Sequence, residues 1–302
     1  MASDYTTMNK DLVFAVERKA LENARETFVL DKFTDKKTVP TKSGDELKVH
    51  YWDEIDDVND VYVLTEGVTP AQVDMVRVSV SGSVKHQGAQ TQYTDLLMEQ
   101  HENAGEFHKQ TGAELGYALG KRLEKDAMGI CIAGAGSTTA AFTTIDAALK
   151  EARDFLRLSN APKFTAIKTG STKNGTSPVN AGWPVFVSLA DADLCRAATD
   201  FLSVEDYGYS DGIMPNEIGA IKSLGLRIIE TAYATTGTAI ALGEGGLGGL
   251  SLGGKNRIQY IDQPLGSEGS LDSLKQRGSS GVKSDTGFMV LKADRVIKIL
   301  TA

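Results

Sequence analysis

The 302-residue sequence contains only two cysteines, Cys131 and Cys195, and neither belongs to a C-x-x-C pair. A disulfide framework is therefore excluded, and zinc or redox roles for these thiols are disfavoured. The sequence also lacks an apolar run approaching the roughly 20 residues that span a bilayer. Its first residues, MASDYTTMNK, form no apolar signal segment. We expect a protein that is made and folded in a cytoplasm, with both cysteines serving as small core residues.

The chain has too few basic residues for a protein whose main surface binds nucleic acid. The chain has 32 Lys and Arg against 40 Asp and Glu, a formal net charge of -8. Because nucleic-acid binding needs clustered cations, direct binding is disfavoured, whereas a wall that only encloses nucleic acid is not. A hydrophobic content of 41% and a charged content of 24% are typical of a globular protein with a substantial core.

Motifs for metal binding and catalysis are also scarce. The run HENAGEFH places His101 and His108 seven residues apart, and Gly105 stands where a helical zinc pair would have its second histidine. The carboxylates are plentiful but scattered along the chain. We therefore predict no metal site, no cofactor and no enzyme activity.

The glycine-rich stretch GEGGLGGLSLGGKN is a candidate phosphate cradle. Gly243, Gly245 and Gly248 satisfy G-x-G-x-x-G, and Lys255 completes part of G-x-x-x-x-G-K-[ST]. A dinucleotide fingerprint must open a helix, because the helix N-terminus binds the phosphates. Here a strand-like run follows, and Asn256 stands where the lysine motif has Ser or Thr. The pattern favours a flexible connection between two parts of a domain over a nucleotide site.

Hydrophobic periodicity predicts a mixed α+β fold without the steady β-α-β alternation of a doubly wound sheet. The longest predicted helix covers 106–132, with apolar residues at a spacing of four. Further helices are predicted over 8–26, 144–160 and 190–202. Strands are predicted within 42–55, 74–84, 184–189, 217–234, 257–262 and 287–300.

Two segments indicate that neighbouring copies stabilise the chain. The helix over 8–26 is marginal alone and needs a surface to dock on. Residues 56–73 are rich in acids and turn residues, with too few apolar side chains for a separate core. We interpret them as an extended excursion that leaves the body and returns, since long loops without their own core are often functional. Both features are typical of a chain in a lattice of identical copies.

Several motifs occur in an order that resembles a known family. They are LTEGVTP (64–70), YTDLL (93–97), the helix with LEKDAM, NEIGAIKSLGLRIIE (216–230) and GSEGSLDSLKQRGSSGVKSDTGFMVLKADRVIKI (266–299). The set resembles the major capsid protein of tailed double-stranded-DNA phages, in the N-four-like coat family. The resemblance implies the HK-ninety-seven-like fold and a virion protein. It would self-assemble into pentamers and hexamers of an icosahedral head around double-stranded DNA.

The resemblance also implies a division of the chain. Residues 1–35 would be the N-arm, and 36–80 would hold the E-loop that lies over a neighbouring subunit. Residues 81–136 and 250–302 would form the peripheral domain around the long spine helix, and 137–249 the axial domain.

Contact and hinge residues follow from the same resemblance. The expected E-loop contacts are Leu64, Glu66, Gly67 and Pro70. Asp272, Gln276 and Arg277 are candidates for inter-subunit contacts near the peripheral domain, or equally for a turn network within the chain. The glycine stretch falls near the return from the axial to the peripheral domain, so we predict a hinge at Gly245, Gly246, Gly248 and Gly249.

The partners implied are further copies of the chain, a separate scaffolding protein, a portal and, in some heads of this kind, decoration proteins. A separate scaffolding protein is expected because only a short arm precedes the body. Three alternatives stay open at this point. They are an encapsulin-type compartment shell, which has the same fold, an enzyme that binds nucleotide at the glycine stretch, and a tail or head-decoration protein.

Overall fold

The structure, a computed structural model, describes most of the chain between Arg18 and Leu300. The described residues are 18–20, 22, 28–42, 44–53, 66–69, 74–100, 104–140, 144–164, 181–204, 206, 216–253, 258–266 and 274–300. They form helices of uneven length and strands, and the predicted α+β class is confirmed.

Helices and strands of the described residues are numbered separately, each in chain order. The helices are α1 (Asp95–Gln100), α2 (Ala104–Ala133), α3 (Ile145–Leu158) and α4 (Leu189–Arg196), and 3-10 turns lie at Leu30–Phe33 and Ala293–Arg295. The strands are β1 (Asp35–Val39), β2 (Glu46–Trp52), β3 (Arg77–Ser83), β4 (Lys85–Thr94), β5 (Ser137–Thr138), β6 (Trp183–Val187), β7 (Phe201–Ser203), β8 (Glu217–Ile221), β9 (Leu226–Glu230), β10 (Thr238–Leu242), β11 (Leu247–Leu252), β12 (Ile258–Gln263), β13 (Arg277–Val290) and β14 (Val296–Leu300).

The helices mostly follow the predicted bounds. The predicted spine helix is α2, whose 30 residues span about 45 Å at 1.5 Å per residue. Helix α3 begins after Thr144, which holds the N-cap position without a capping side-chain bond, and Asn160, which follows its end, has a φ of 48°. The helix predicted over 190–202 is wrong at its end, because α4 stops at Arg196 and Phe201 begins β7. Of the helix predicted over 8–26, only 18–20 and 22 lie within the described residues, and they are helical.

A five-stranded sheet is built around β13. The order is β1-β11-β13-β12, with β4 also paired to β13. Strand β13 pairs with β4 along residues 277–286 and with β11 near its C-terminal end. Helix α2 packs against this sheet, mainly on β13.

A seven-stranded sheet has the order β5-β14-β10-β6-β9-β8-β7. Strand β14 lies between β5 and β10, so residues 296–300 complete a sheet built largely from residues 183–242. Both faces of the sheet are buried. Successive side chains along each strand point to opposite faces and so enter different cores. Leu156, Val185 and Ile228 lie in the core that α3 and α4 cover. Phe186 and Ile229 face the opposite core, under α2.

Residues before β1 lie along the spine helix. Phe28, Leu30 and Phe33 belong to the core under α2. Further toward the N-terminus, Ala20 approaches the helix so closely that a Cβ on Gly116 would lie 2.2 Å from its carbonyl oxygen. Within the described residues, no helix is both long and apolar enough to cross a membrane.

Candidate subunit interfaces

Strands β2 and β3 form a separate two-stranded ribbon. They pair antiparallel from Glu46–Ser83 at one end to Trp52–Arg77 at the other. Exposed and half-buried residues alternate along both strands, because one face rests on the protein and the other faces solvent. A two-stranded ribbon is marginally stable alone, so its inner face must be held by something else.

The base of the ribbon is held by the five-stranded sheet. Leu47 and Val49 pack against a small core that contains Leu250 and Met289. A Cβ on Gly82 would lie 2.7 Å from the Cβ of Met289, so only glycine permits this approach.

The distal end of the ribbon exposes three large apolar side chains. Trp52 is 57% exposed, Met75 58% and Val76 59%. They lie together, because the Asp53 N–H donates a 2.9 Å hydrogen bond to the Val76 carbonyl. Exposed apolar groups in one place mark a surface that another protein covers. We call these three residues the ribbon tip.

Two of the E-loop residues expected from the sequence, Glu66 and Gly67, fall between β2 and β3 in the chain order and lie within the described residues. Glu66 and Gly67 are exposed in a turn, and Gly67 has a φ of 78°, a conformation that favours glycine. Leu64 and Pro70 lie outside the described residues.

A second apolar surface lies where β4, β12 and β13 meet. The Asp95 N–H donates to the Gln276 carbonyl at 3.0 Å, and the Gly266 N–H donates to the Arg277 carbonyl at 3.4 Å. Tyr93 closes the junction, because its hydroxyl donates to the Gln263 carbonyl at 3.2 Å. Four exposed leucines lie one or two residues away in the chain from the residues that make these bonds: Leu96, Leu97, Leu265 and Leu274. We call these four residues the leucine cluster.

The structure brings two of the three expected contact residues to this junction. The backbones of Gln276 and Arg277 make hydrogen bonds within the chain, and both residues are exposed. Asp272 lies outside the described residues. These bonds extend the pairing of β13 with β4 and β12, and the contact roles of Gln276 and Arg277 stay a prediction.

The four glycines of the predicted hinge connect the two sheets. Gly245 and Gly246 lie in the turn between β10 and β11, where Gly245 has a φ of 72°. Gly248 and Gly249 lie within β11, paired to β1 on one side and β13 on the other. The turn is held by Leu291, whose N–H donates to the Gly246 carbonyl at 2.8 Å.

The same stretch lacks the context of a nucleotide site. The described residues from 243 to 266 hold β11 and β12 but no helix, and Lys255 lies outside them. Gly249, Ser251 and Gly253 also fit the G-x-S-x-G spacing of hydrolase nucleophiles, which requires a sharp strand-to-helix turn. Ser251 instead lies within β11 opposite Thr286. In the described part of the chain, no group of three His, Cys, Asp or Glu side chains could hold a metal ion.

The spine helix and most of both sheets lie in a part of the chain that matches a known family. Residues 77–299 match the family described as phage capsid protein. The chain belongs to this family. It is a major capsid protein, a structural component of the virion, and such shell proteins associate with copies of themselves in phage heads. No curated protein sequence matches the capsid protein at a significant level.

Solved structures confirm the HK-ninety-seven-like fold. The capsid of cyanophage P-SCSP1u is similar with a TM-score of 0.60 at 12% identity, covering 91% of this chain and 88% of that one. The head of Helicobacter pylori bacteriophage KHP40 has a TM-score of 0.58 at 10% identity, covering 91% of each chain. A virus-like particle from Pyrococcus furiosus has a TM-score of 0.55 at 11% identity, covering 94% and 97%. Fold alone therefore does not separate phage heads from other shells, whereas the family match favours the phage capsid.

Neither the ribbon tip nor the leucine cluster was singled out from the sequence. The sequence signal for Trp52 was the alternation of outward and inward side chains along β2. This alternation places Trp52 on the same outward face as Lys48 and His50. Leu96 and Leu97 lie in a helix of six residues without a buried member, a feature that only the folded chain shows.

Proposed function

We propose that the capsid protein assembles into pentamers and hexamers of an icosahedral head that encloses double-stranded DNA. The observation that carries this proposal is the ribbon of β2 and β3, whose base packs on a small core and whose far end exposes three large apolar side chains. Exposed apolar side chains gathered in one place are typical of a surface that contacts another chain. Assembly would occur in the host cytoplasm.

The division into four parts remains a proposal, which the sheet topology supports in outline. The proposed peripheral domain (81–136 and 250–302) would contain α2 and most of the five-stranded sheet, and the axial domain (137–249) most of the seven-stranded sheet. Two strand pairings join the proposed axial domain to the proposed peripheral domain. Strand β14 pairs with β10, and β11 pairs with β13.

The tip of one copy is proposed to cover the leucine cluster of the next copy. Both surfaces expose large apolar side chains, and each is bordered by charges of both signs. Arg77 lies beside the tip and would face Glu99 on α1, while Asp53 would face Lys275 beside the cluster. We call this contact between the ribbon tip and the leucine cluster the seam. The expected contact residues would lie beside it: Leu64, Glu66, Gly67, Pro70, Asp272, Gln276 and Arg277. Many such weak seams close a shell that no single seam would hold.

The shell is proposed to need other proteins for its assembly. These are a separate scaffolding protein, a portal and, as an optional addition, decoration proteins. The capsid protein would have no catalytic role. It would enclose the DNA without sequence-specific binding, and its net charge of -8 disfavours tight contact with the phosphate backbone.

Size-exclusion chromatography and negative-stain electron microscopy test this proposal. The unaltered chain, with its scaffolding protein, should give closed shells, pentamers or hexamers. Trp52→Ser and Leu274→Ser should each reduce the yield of closed shells at least about tenfold, since a lost apolar seam costs about 1.4 kcal/mol or more. Lys48→Ser, on the same outward face of β2, is the matched control and should assemble normally. A chain that stays monomeric with its scaffolding protein would contradict the proposed function, whereas shells from both tip and cluster variants would contradict only the seam.

A further inference from the structure

The exposed side of the spine helix carries a compact group of cations. Arg122 and Lys125 are exposed, and Lys121 is half-buried. On the other side of the helix, Leu119 and Leu123 are buried. Residues three and four apart on a helix are neighbours, so Lys121 and Lys125 lie side by side and Arg122 lies next to Lys125. We call Lys121, Arg122 and Lys125 the cation triad.

The stability of the helix gives no reason for this group. Like charges four residues apart repel each other and destabilise a helix. Among the described residues, neither Lys121 nor Lys125 has an ion-pair partner. The Lys121 ammonium lies 3.9 Å from the centre of the Tyr117 ring and 5.8 Å from that of Tyr233. These rings hold the ammonium in place without neutralising its charge.

Carboxylates near the triad offset only part of its charge. Asp126 lies 3.4 Å from Arg122 in an ion pair, and its side chain is 14% exposed. Glu114 is exposed on the same helix, two turns before Lys121, which is about 10 Å along the helix axis. Arg122 is therefore partly neutralised, whereas the two lysines are not.

Glu124 lies between these cations in the sequence but adds little negative charge to the exposed side of the helix. Its side chain is buried, and it accepts hydrogen bonds from the Leu30 N–H at 3.1 Å and the Thr231 hydroxyl at 3.3 Å. Burial raises its pKa to about 7, although these hydrogen bonds act in the opposite direction. This carboxyl group is thus engaged inside the chain and does not pair with the triad.

An open groove extends the cationic surface from the helix to β4. Its volume is about 720 Å³, and its lining includes Lys85, His86 and Arg122. Lys85 is exposed and forms no ion pair within the described part of the chain. His86 is paired, since its Nδ1 lies 2.5 Å from Asp285 Oδ1. Lys85 and the triad are therefore the cations that this surface offers to a partner.

The composition of this surface fits a DNA backbone better than a protein partner. The centres of protein interfaces are depleted in lysine and enriched in aromatic and methionine side chains. Among the described residues of the spine helix, Tyr117 is the only large apolar side chain that is exposed. A lysine ammonium binds phosphate as a point charge and reads no base sequence. Double-stranded DNA offers one phosphate charge for about every 1.7 Å of its axis.

We propose that the cation triad and Lys85 contact the phosphate backbone of the enclosed double-stranded DNA, so that this side of the spine helix faces the interior of the shell. The inference rests on the proposed function. The chain has a net charge of -8, so its remaining surface is on average acidic and is repelled by the phosphates. Each contact is weak and independent of base sequence, and the contacts of many copies on one shell add up. The uneven distribution of charge thus sets which side of the subunit faces the DNA.

Binding of a short fluorescent duplex to the full-length, unassembled protein tests this contact, with anisotropy measured at several salt concentrations. The three unpaired lysines predict about three phosphate contacts, which should weaken binding about 40-fold between about 50 and 200 mM salt. Lys121→Gln combined with Lys125→Gln should leave a weakening of only about fourfold, since each lysine removed lowers the salt slope by about one. Lys150→Gln, at an exposed lysine on α3, is the matched control and should keep the slope of the unaltered chain.

The proposal makes further demands on the same measurement. Two duplexes of unrelated sequence should bind equally well. Absence of duplex binding at the lowest salt would overturn the proposal, and so would an unchanged slope in the double variant or an equal loss in Lys150→Gln. Tighter binding of polyglutamate than of the duplex would also overturn it, because the surface would then fit an acidic protein segment. All of these measurements use unassembled protein, so their failure leaves the formation of shells untouched.

Discussion

The seven-stranded sheet and the ribbon of β2 and β3 differ in what surrounds them. The sheet is covered on both faces, and residues such as Phe186 and Ile228 are fully buried within one chain. The ribbon is anchored at its base, and Trp52 at its far end is 57% exposed. Substitutions in the sheet should therefore change the stability of one chain, whereas those at the ribbon tip should change association between chains.

The largest loss of stability is expected at a buried ion pair in the sheet. Arg227 Nε lies 3.3 Å from Glu217 Oε1, and both side chains are almost completely buried. Arg227→Met leaves the Glu217 charge without this partner, which should cost about 3–5 kcal/mol of unfolding free energy. Urea unfolding of the unassembled protein measures the loss.

Two further variants sharpen this prediction. Adding Glu217→Leu to Arg227→Met should recover part of the stability, because the buried charge is gone. Arg196 makes exposed ion pairs with Asp193 and Glu230, so Arg196→Met should cost at most about 1 kcal/mol. If the double variant is less stable than Arg227→Met alone, the unpaired Glu217 charge is not the cause of the lost stability.

The next largest effect is the pH dependence caused by Glu124. Its pKa of about 7 in the folded chain lies above that of an exposed Glu, so folding stability should fall as pH rises from about 4.5 to 7 and then level off. The loss should approach about 3 kcal/mol. Glu124→Gln should lack this fall and should be the more stable protein at pH 8. Urea unfolding of both proteins at pH 5, 6, 7 and 8 measures the difference, and parallel curves would contradict the assignment.

A smaller effect is expected where the N-terminal segment crosses the spine helix. A Cβ on Gly116 would collide with the Ala20 backbone, whereas a Cβ on Gly129 of the same helix meets nothing within 4 Å. Gly116→Ala should therefore destabilise the protein by about 1–3 kcal/mol. Gly129→Ala should stabilise it by up to about 1 kcal/mol, since alanine favours helix. Thermal unfolding compares the two, and equal shifts would mean that residues near Ala20 do not pack on the helix.

The smallest effect on one chain is expected at the ribbon tip. Trp52→Ser should change the unfolding free energy by less than about 1 kcal/mol, because more than half of the side chain already faces water. Urea unfolding of the unassembled variant checks this. A larger loss would mean that Trp52 supports its own chain, which would remove the distinction between ribbon and sheet.

The sequence predicted the spine helix and the buried strands β6, β8, β9 and β14 well because periodicity and apolar runs are local signals. The buried strands β10 and β11 were not predicted. Residues 106–132 were expected and 104–133 are observed. The strand predicted at 257–262 is β12, at Ile258–Gln263. The whole of β4 was missed, since KHQGAQTQYT has no apolar alternation. Its conformation depends on pairing with β13, about 190 residues away.

The interface surfaces were harder to predict than the fold. The expected E-loop contacts at Glu66 and Gly67 come from family resemblance and stay a prediction. The leucine cluster depends on three strand ends that meet only in the folded chain. Glu124 was not singled out, because an acid within LEKDAM is indistinguishable from a solvent-facing residue by type alone. A signal was present, since Glu124 lies between the buried Leu119 and Leu123 on one side and Ala127 and Met128 on the other.

The place of β14 within the seven-stranded sheet has a consequence for synthesis. Strand β10 keeps an open edge until residues 296–300 leave the ribosome, so the sheet cannot close around an incomplete chain. Its pairing joins residues about 60 positions apart, and such non-local closure is slow compared with helix formation. A nascent chain that has not yet released residues 296–300 therefore lacks one of the pairings that hold the sheet together.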